Sequence, residues 1–207
     1  MADIIVDGTS VISKTGSTVT YNAGTIGNNI VFPAGHVGIK SYSVTNSNYW
    51  SGNATSETEL FTGSGGFTSA VITPTSSNSK FLIIGFFGSA TTAQTNRDYT
   101  AGFFLVRSIN GGNYEYSDII GVNNGVRDKV MTQTRGWAYN LGHTGPPINF
   151  SGIDSPAHNG NTITYRINYQ CQSSSYALIM NGTPDNSNSA GIHRAQTTAI
   201  MNIIEIA

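Results

Sequence analysis

Charged residues are scarce in this chain: Asp, Glu, Lys and Arg together make up 10% of its 207 residues, against about a quarter in an average globular protein. The formal net charge is −1, and the ten basic residues are scattered singly along the sequence. A protein that binds nucleic acid by releasing counterions needs basic residues concentrated on one face. The composition therefore predicts no nucleic-acid partner.

Disulfides, long apolar runs and targeting segments are also missing. Cys171 is the only cysteine, so no disulfide can form within the chain, and we expect its thiol to be buried like a small apolar side chain. The longest apolar run, Phe81–Phe87, falls far short of the roughly 20 residues of a membrane-spanning helix. The N-terminus has two acids and no basic stretch, unlike a secretory signal. We expect folding in a reducing cytoplasm and no membrane insertion.

Glycine and small polar residues are abundant instead. Gly, Thr, Ser and Asn together make up more than two fifths of the chain, while 38% of the residues are hydrophobic, enough to build a core. Thr favours strands, Gly and Asn favour turns, and none of the four is a strong helix former. The composition predicts strands joined by many turns.

Strand signals follow one another from Ile30 to the C-terminus, without helical periodicity. Lys80–Phe87 is a nearly continuous apolar run, which predicts a strand covered on both faces. Ala101–Ile109 has the same character and ends at the hairpin signal Asn110–Asn113. The other predicted strands are Val37–Thr45, Phe67–Thr73, Tyr114–Val122, Val130–Leu141, Asn161–Cys171, Ser175–Asn181 and Gln196–Ile206. This succession predicts an all-β protein, an antiparallel two-sheet sandwich of the jelly-roll type.

Residues 1–30 differ from the sandwich domain predicted over residues 31–207. Their short apolar pieces are separated by glycines, and Tyr21 is their only aromatic residue, so they bury too little surface to fold alone. We interpret them as an extended N-terminal arm that orders by adding strands to a partner; a frayed terminus is the alternative. The candidate attachment residues are Ile4, Ile5, Val6, Val11 and Ile12.

Residue patterns for catalysis or metal binding are missing from the sequence. The four histidines form no metal-binding spacing with another His, Cys or carboxylate, and there is no G-x-S-x-G nucleophile motif. Glu57 and Glu59 are the only close acidic pair, and we expect a solvated face there rather than an acid/base couple. The sequence predicts a non-enzymatic protein with no catalytic residues, no metal and no cofactor.

Two groups of aromatic residues near turns are candidates for sugar binding. They are Tyr49 and Trp50, and Trp137 and Tyr139, each with asparagine nearby in the sequence. Aromatic faces flanked by amides suit the stacking of sugar rings. The alternative, which we favour, is that these rings pack at one end of the sandwich or at a contact between subunits.

The closing strand indicates self-association. Ile200, Ile204 and Ile206 lie on one of its faces, and Met201 and Ile203 lie on the other. A strand that is apolar on both faces is central in its sheet or covered by another subunit. Together with the low charge, this predicts a homotrimer with aliphatic and aromatic side chains along its three-fold axis.

Several stretches resemble a family of small virion proteins from tailed bacteriophages, especially those of marine bacteria. They are VFPAGHV (Val31–Val37), VITPTSSNSKFLI (Val71–Ile83), DSP (Asp154–Pro156), TITY (Thr162–Tyr165) and IIEI (Ile203–Ile206). The resemblance implies a jelly roll similar to complement and tumour-necrosis-factor domains. It also implies a trimer that sits at the tip of a tail fibre or decorates the capsid, and it carries no catalytic residues.

The segment before the first resembling stretch is short, which favours the capsid over the tip of a tail fibre. About thirty residues precede that stretch, too few for a long fibre shaft but enough for an arm clamped onto a particle. We therefore expect a virion structural protein assembled in the host cytoplasm and displayed as a capsid decoration or short head fibre, with other virion proteins as partners. The alternative is a receptor-binding tail-fibre tip that recognises a host surface glycan.

Overall fold

The fold is all-β, with strands in antiparallel sheets joined by turns. The computed structural model describes residues 2–6, 9–15, 18–21, 39–61, 70–92, 100–121, 129–135, 145–183 and 196–206. Within these ranges there is no helix, and so none that is long and apolar enough to cross a membrane. The chain divides into two compact units, residues 1–37 and 38–207.

The first unit contains a small antiparallel sheet in which neighbouring strands pair in chain order. Its strands are β1 (Ala2–Val6), β2 (Thr9–Thr15) and β3 (Thr18–Tyr21). The register of β1 on β2 shifts between Ile4 and Ile5, which marks a bulge. The short apolar pieces thus pair with one another within this unit. An extended arm and its attachment role stay predictions, and the predicted boundary at residues 30 and 31 lies outside the described residues.

The second unit holds the remaining strands. They are β4 (Ile39–Asn46), β5 (Trp50–Gly52), β6 (Thr58–Glu59), β7 (Ala70–Ile72), β8 (Lys80–Phe87), β9 (Ala90–Thr92), β10 (Thr100–Ile109), β11 (Glu115–Tyr116), β12 (Thr132–Arg135), β13 (Ile148–Asp154), β14 (Ile163–Cys171), β15 (Leu178–Met180) and β16 (Ala199–Ile206).

Three antiparallel sheets are formed by these strands. The first sheet has four strands in the order β13-β8-β16-β4. The second has six: β11-β10-β14-β6 form a path, with β12 also beside β10 and β7 also beside β14. The third, β5-β15-β9, has three strands. The closing strand β16 therefore lies centrally in its sheet, which is one of the two alternatives that its sequence left open.

The inner faces of the first two sheets pack against each other, an arrangement consistent with a β-sandwich. The rings of Phe87 on β8 and Phe103 on β10 lie 5.0 Å apart between centroids, and those of Phe81 and Tyr165 lie 5.9 Å apart. All four side chains are buried, in the same cluster as the apolar residues of β14 and β16. Alternation along each strand supplies these inward residues.

Most strand predictions are confirmed, and the exceptions have physical causes. The bounds of β8 are those predicted, but coverage on both faces is wrong, since Ile84 and Phe86 are about two-fifths exposed in the single chain. Within the described residues, the predicted strand Tyr114–Val122 is reduced to the two residues of β11, because the chain leaves the sheet after Ser117: Asp118 N donates to the Asp154 carboxylate, and Ile120 N donates to Ser117 O in a turn.

Strand β13 is absent from the sequence-based predictions. It follows Pro147, and Gly152 interrupts its alternation. Its place is fixed by a cross-strand pair in which Phe150 lies opposite Gly85 of β8. A Cβ at position 85 would overlap the Phe150 ring, so the glycine is what allows the ring to lie flat over β8.

Candidate functional site

The outer face of the four-stranded sheet is apolar and exposed. Its side chains point away from the core along β8, β16 and β13 in adjacent cross-strand positions. They are Leu82, Ile84, Phe86, Ile153, Ile200, Ile204 and Ile206, and this set is called the apolar face below. Four of them, Ile84, Phe86, Ile153 and Ile206, are among the most exposed large hydrophobic residues in the described part of the chain.

Charge is nearly missing from the surroundings of the apolar face. The neighbouring outward residues of β4, β13 and β16 are small and neutral: Ser41, Ser43, Thr45, Asn149, Ser151 and Asn202. Lys80, at one end of β8, is the only charged side chain among the described residues of this outer face. Ser151 and Asn202 flank Ile84, so small neutral side chains lie among the apolar ones. An exposed surface with several large apolar side chains and so little charge is typical of a protein–protein contact.

The outer face of the six-stranded sheet has a different chemistry. Tyr114 and Tyr116 are exposed by 38% and 41%, and beneath them Phe104 and Val106 of β10 are buried. The ring of Tyr116 stacks on Phe104 with 6.0 Å between centroids. The guanidinium carbon of Arg166, on β14, lies 3.6 Å from the centroid of the Tyr114 ring, a cation–π contact.

The acidic pair singled out in the sequence belongs to this surface. Glu57 accepts hydrogen bonds from the Tyr116 hydroxyl and from the Asn168 amide, each at 2.7 Å. Glu59 lies 3.3 Å from the Arg166 guanidinium. The two carboxylates thus hold different donors and orient the rings above the sheet. The six residues Glu57, Glu59, Tyr114, Tyr116, Arg166 and Asn168 are called the tyrosine patch below.

The aromatic residues proposed from the sequence as surface binders lie elsewhere. Trp50 is buried, with its ring 5.0 Å from that of Tyr169 in an edge-on contact, so its prediction as a surface ring is wrong. Tyr49 is half-buried, and its ring lies over Gly182. Trp137 and Tyr139 lie outside the described residues. For Trp50, the packing alternative is confirmed.

The residues predicted for attachment lie on the first two strands of the N-terminal unit. Ile4, Ile5 and Val6 are on β1, and Val11 and Ile12 are on β2. Ile4 is the pairing partner of Ile12 across the two strands. Their side chains lie outside the described part of the structure, so their role in attachment stays a prediction.

A buried ion pair joins β10 to β13, a strand of each of the two packed sheets. The Asp154 carboxylate, with no exposed surface, accepts hydrogen bonds from the Arg107 guanidinium, from the Tyr165 hydroxyl at 2.6 Å and from Asp118 N at 2.7 Å. Burial raises the pKa of Asp154, and the three donors offset this only in part. Burial also raises the pKa of Tyr165, and the neighbouring Asp154 charge adds to that. This site is structural, since its groups are occupied with one another.

A second buried carboxylate, Glu205 on β16, anchors the loop before β8. Its Oε1 accepts hydrogen bonds from Thr75 N at 2.5 Å and from the hydroxyls of Thr75 and Ser79 at 2.6 Å. Burial acts to raise the pKa of Glu205, but these bonds and the charge of Lys40 outweigh it, so the pKa lies below its ordinary value of 4.5. Glu205 thus favours folding in its charged form.

Glu205→Gln should therefore lower stability in a pH-dependent way. A carboxyl whose pKa is depressed by folding stabilises the protein above its unfolded pKa, and that stabilisation is lost as pH falls through the folded pKa. We expect a loss of about 2 kcal/mol in the free energy of unfolding at neutral pH, shrinking below about pH 4.5. Urea denaturation of both proteins across this range measures it. A loss that is the same at every pH would contradict this role.

The other chemically interesting side chains are packed. Cys171 is buried, as predicted, and burial raises the pKa of its thiol. His158 is buried as well; Gly160 N donates to its Nδ1 at 3.0 Å, so Nε2 carries the hydrogen donated to Ser79 O at 3.1 Å. No group of three or more His, Cys, Asp or Glu side chains that could hold a metal ion occurs in the described ranges.

Comparison with known proteins adds no relative. The chain matches no protein-family model and no curated protein. The apolar face and the tyrosine patch, on the outer faces of two different sheets, are the two candidate binding surfaces of the described residues.

Proposed function

We propose that this chain is a non-enzymatic structural protein of a bacteriophage virion, displayed on the particle surface as a capsid decoration or short head fibre. One observation carries the proposal: four of the stretches that resemble phage virion proteins lie in contact in pairs within the described residues. Glu205, in the closing stretch, bonds Thr75 and Ser79, in the stretch Val71–Ile83. Asp154, in the DSP stretch, bonds Tyr165 at the end of TITY. The stretches that resemble phage virion proteins thus include residues whose side chains bond one another within the sandwich.

The proposed jelly roll is supported by the order of the eight principal strands, which in chain order are β4, β7, β8, β10, β12, β13, β14 and β16. One sheet has the order β4-β16-β8-β13, which are the first, eighth, third and sixth of these strands. The other has the order β7-β14-β10-β12, which are the second, seventh, fourth and fifth. Two sheets wound in this way correspond to the paired Greek keys of a jelly roll.

The proposed homotrimer is supported by the apolar face. Ile84 and Phe86 project from the middle of the four-stranded sheet, where no charged neighbour interrupts the apolar surface. Exposure of such a surface to water is unfavourable at about 25 cal/mol per Å². Cyclic closure of identical subunits buries the same surface on every copy, and a rigid multi-subunit unit suits display on a particle.

A second candidate function, the receptor-binding tip of a tail fibre, is supported by the tyrosine patch. Exposed tyrosines on a sheet face, one held by a hydrogen bond and the other by a cation–π contact, are suited to ligand contact. Electron microscopy of virions labelled with an antibody to this chain separates the two candidates. Label over the head supports decoration, label confined to the tail supports the fibre tip, and virions without label contradict both.

Deletion of residues 2–28 tests the proposed N-terminal attachment. These residues contain β1, β2 and β3, which pair with one another in their own unit. We expect the melting temperature of the purified protein to change little, because the described core residues belong to the second unit, while virions assembled with the truncated chain lose it. A truncated chain that fails to fold, or that is incorporated normally, contradicts this role.

A further inference from the structure

We propose that the tyrosine patch binds a neutral, hydroxyl-rich oligosaccharide. The inference deepens the second candidate function and rests on it for its biological meaning. The binding itself is a property of the chain in solution. Three features of the patch support this binding: the geometry of the two tyrosines, the balance of charge around them, and the polar atoms beneath them.

The two tyrosines form a fixed aromatic platform. Because Tyr114 and Tyr116 are two positions apart on an extended segment, they project on the same side at a spacing of about 6.6 Å. Each ring is held by a second group, Tyr116 by its hydroxyl bond to Glu57 and Tyr114 by the guanidinium of Arg166. A ring whose orientation is set before binding loses little conformational entropy when a ligand stacks on it.

Among the described residues that contact the two rings or their partners, the charges balance. Glu57 and Glu59 supply two negative charges, and Arg166 and Lys129, whose ammonium lies 5.9 Å from the Tyr116 centroid, supply two positive charges. An anionic polysaccharide therefore gains no net attraction. Carboxylates accept hydrogen bonds and guanidinium and ammonium groups donate them, which matches hydroxyls that do both. The apolar face of a pyranose ring suits the exposed aromatic surface.

Hydrogen-bonding capacity also remains in the sheet beneath the rings. Nε of Arg166 and Oδ1 of Asn168 are buried and have no hydrogen-bond partner in the described part of the chain. A buried donor and a buried acceptor without partners each carry a desolvation cost. These two atoms, on the residues that lie below the rings, mark unused hydrogen-bonding capacity at the tyrosine patch.

The test is binding of the full chain to a panel of neutral gluco-, galacto- and manno-configured oligosaccharides, with sialylated and uronic-acid oligosaccharides alongside, at low and high salt. We expect binding to neutral members with little salt dependence. Tyr114→Ala should weaken it about tenfold, equivalent to about 1.4 kcal/mol, whereas Tyr114→Phe, which keeps the ring, should retain it. Tyr176→Ala, which changes a half-buried tyrosine outside the tyrosine patch, is the matched control and should bind as the wild type does.

Three results would overturn the inference. They are the absence of binding to every neutral member, binding to acidic members alone with steep salt dependence, and neutral binding that Tyr114→Ala leaves intact. Virion labelling is a separate measurement: a chain that binds neutral sugars but is missing from virions upholds the patch and contradicts the proposed function. A chain that is present on virions but binds no sugar upholds the proposed function and contradicts the inference about the patch.

Discussion

If the chain forms the proposed trimer, Ile84→Lys is expected to turn it into monomers at micromolar concentration. Ile84 lies at the centre of the apolar face, between Ser151 of β13 and Asn202 of β16 in the cross-strand register. In a trimer that buries this face, each copy would place an unpaired ammonium in an apolar contact, at a cost of several kcal/mol per charge. In a single chain the side chain is 42% exposed, so the lysine can reach water and the fold is retained.

Val71→Lys is the matched control for this change. Val71 is another branched aliphatic residue, 59% exposed, but it lies on β7 in the other sheet, so the same charge there should leave the trimer intact. Light scattering should give about 66 kDa for the wild type and for Val71→Lys, three times the chain mass of 21.9 kDa. A monomeric wild type, or an Ile84→Lys protein that stays trimeric, would contradict the proposed interface.

Asp154→Ala is expected to have the largest effect on stability, about 3–5 kcal/mol in the free energy of unfolding. Its carboxylate is fully buried and joins Arg107, Tyr165 and the backbone at Asp118. Removal of the carboxylate leaves the Arg107 guanidinium, which is itself buried, with only the partly exposed acids Glu115 and Asp118. A buried charge that loses its partner is costly.

Asp118→Asn separates this effect from a general loss of charge beside Arg107. The Asp118 side chain is 50% exposed and lies 3.6 Å from the same guanidinium, so its removal should cost no more than about 1 kcal/mol. Denaturant midpoints of both variants, compared at equal slope, measure the difference. An Asp154→Ala protein no less stable than Asp118→Asn would show that the buried pair does not hold the sandwich together.

Local patterns predicted much of the fold, because alternation and turn signals act over a few residues. The apolar run of β8 has the bounds predicted, and the turn that ends β10 follows from Asn110 and Gly111, which adopt positive φ angles of 52° and 72°. Strand β13 was missed because its signal is not local. Phe150 is fixed by Gly85, which is 65 positions earlier in the chain, and no window around β13 contains that partner.

The candidate site was harder to predict, for a related reason. Trp50 stands among polar residues in the sequence, yet Tyr169, from a distant strand, encloses its ring. The tyrosine patch needs Arg166 to meet Tyr114 and Glu57 to meet Tyr116, contacts that only the pairing of strands creates. The alternation of Tyr114, Glu115 and Tyr116 was the one local sign that two rings share a face.

Capture of intact virions by an antibody to this chain tests display on the particle most directly. Antibody-coated beads are mixed with virions purified from a lysate that contains the chain, and the infectious titre left in solution is counted. Beads coated with an unrelated antibody are the control. We predict that the specific beads remove most of the titre, because a displayed sandwich is accessible on every particle. A titre unchanged relative to the control, with the chain recovered from the lysate and not from virions, would contradict the account.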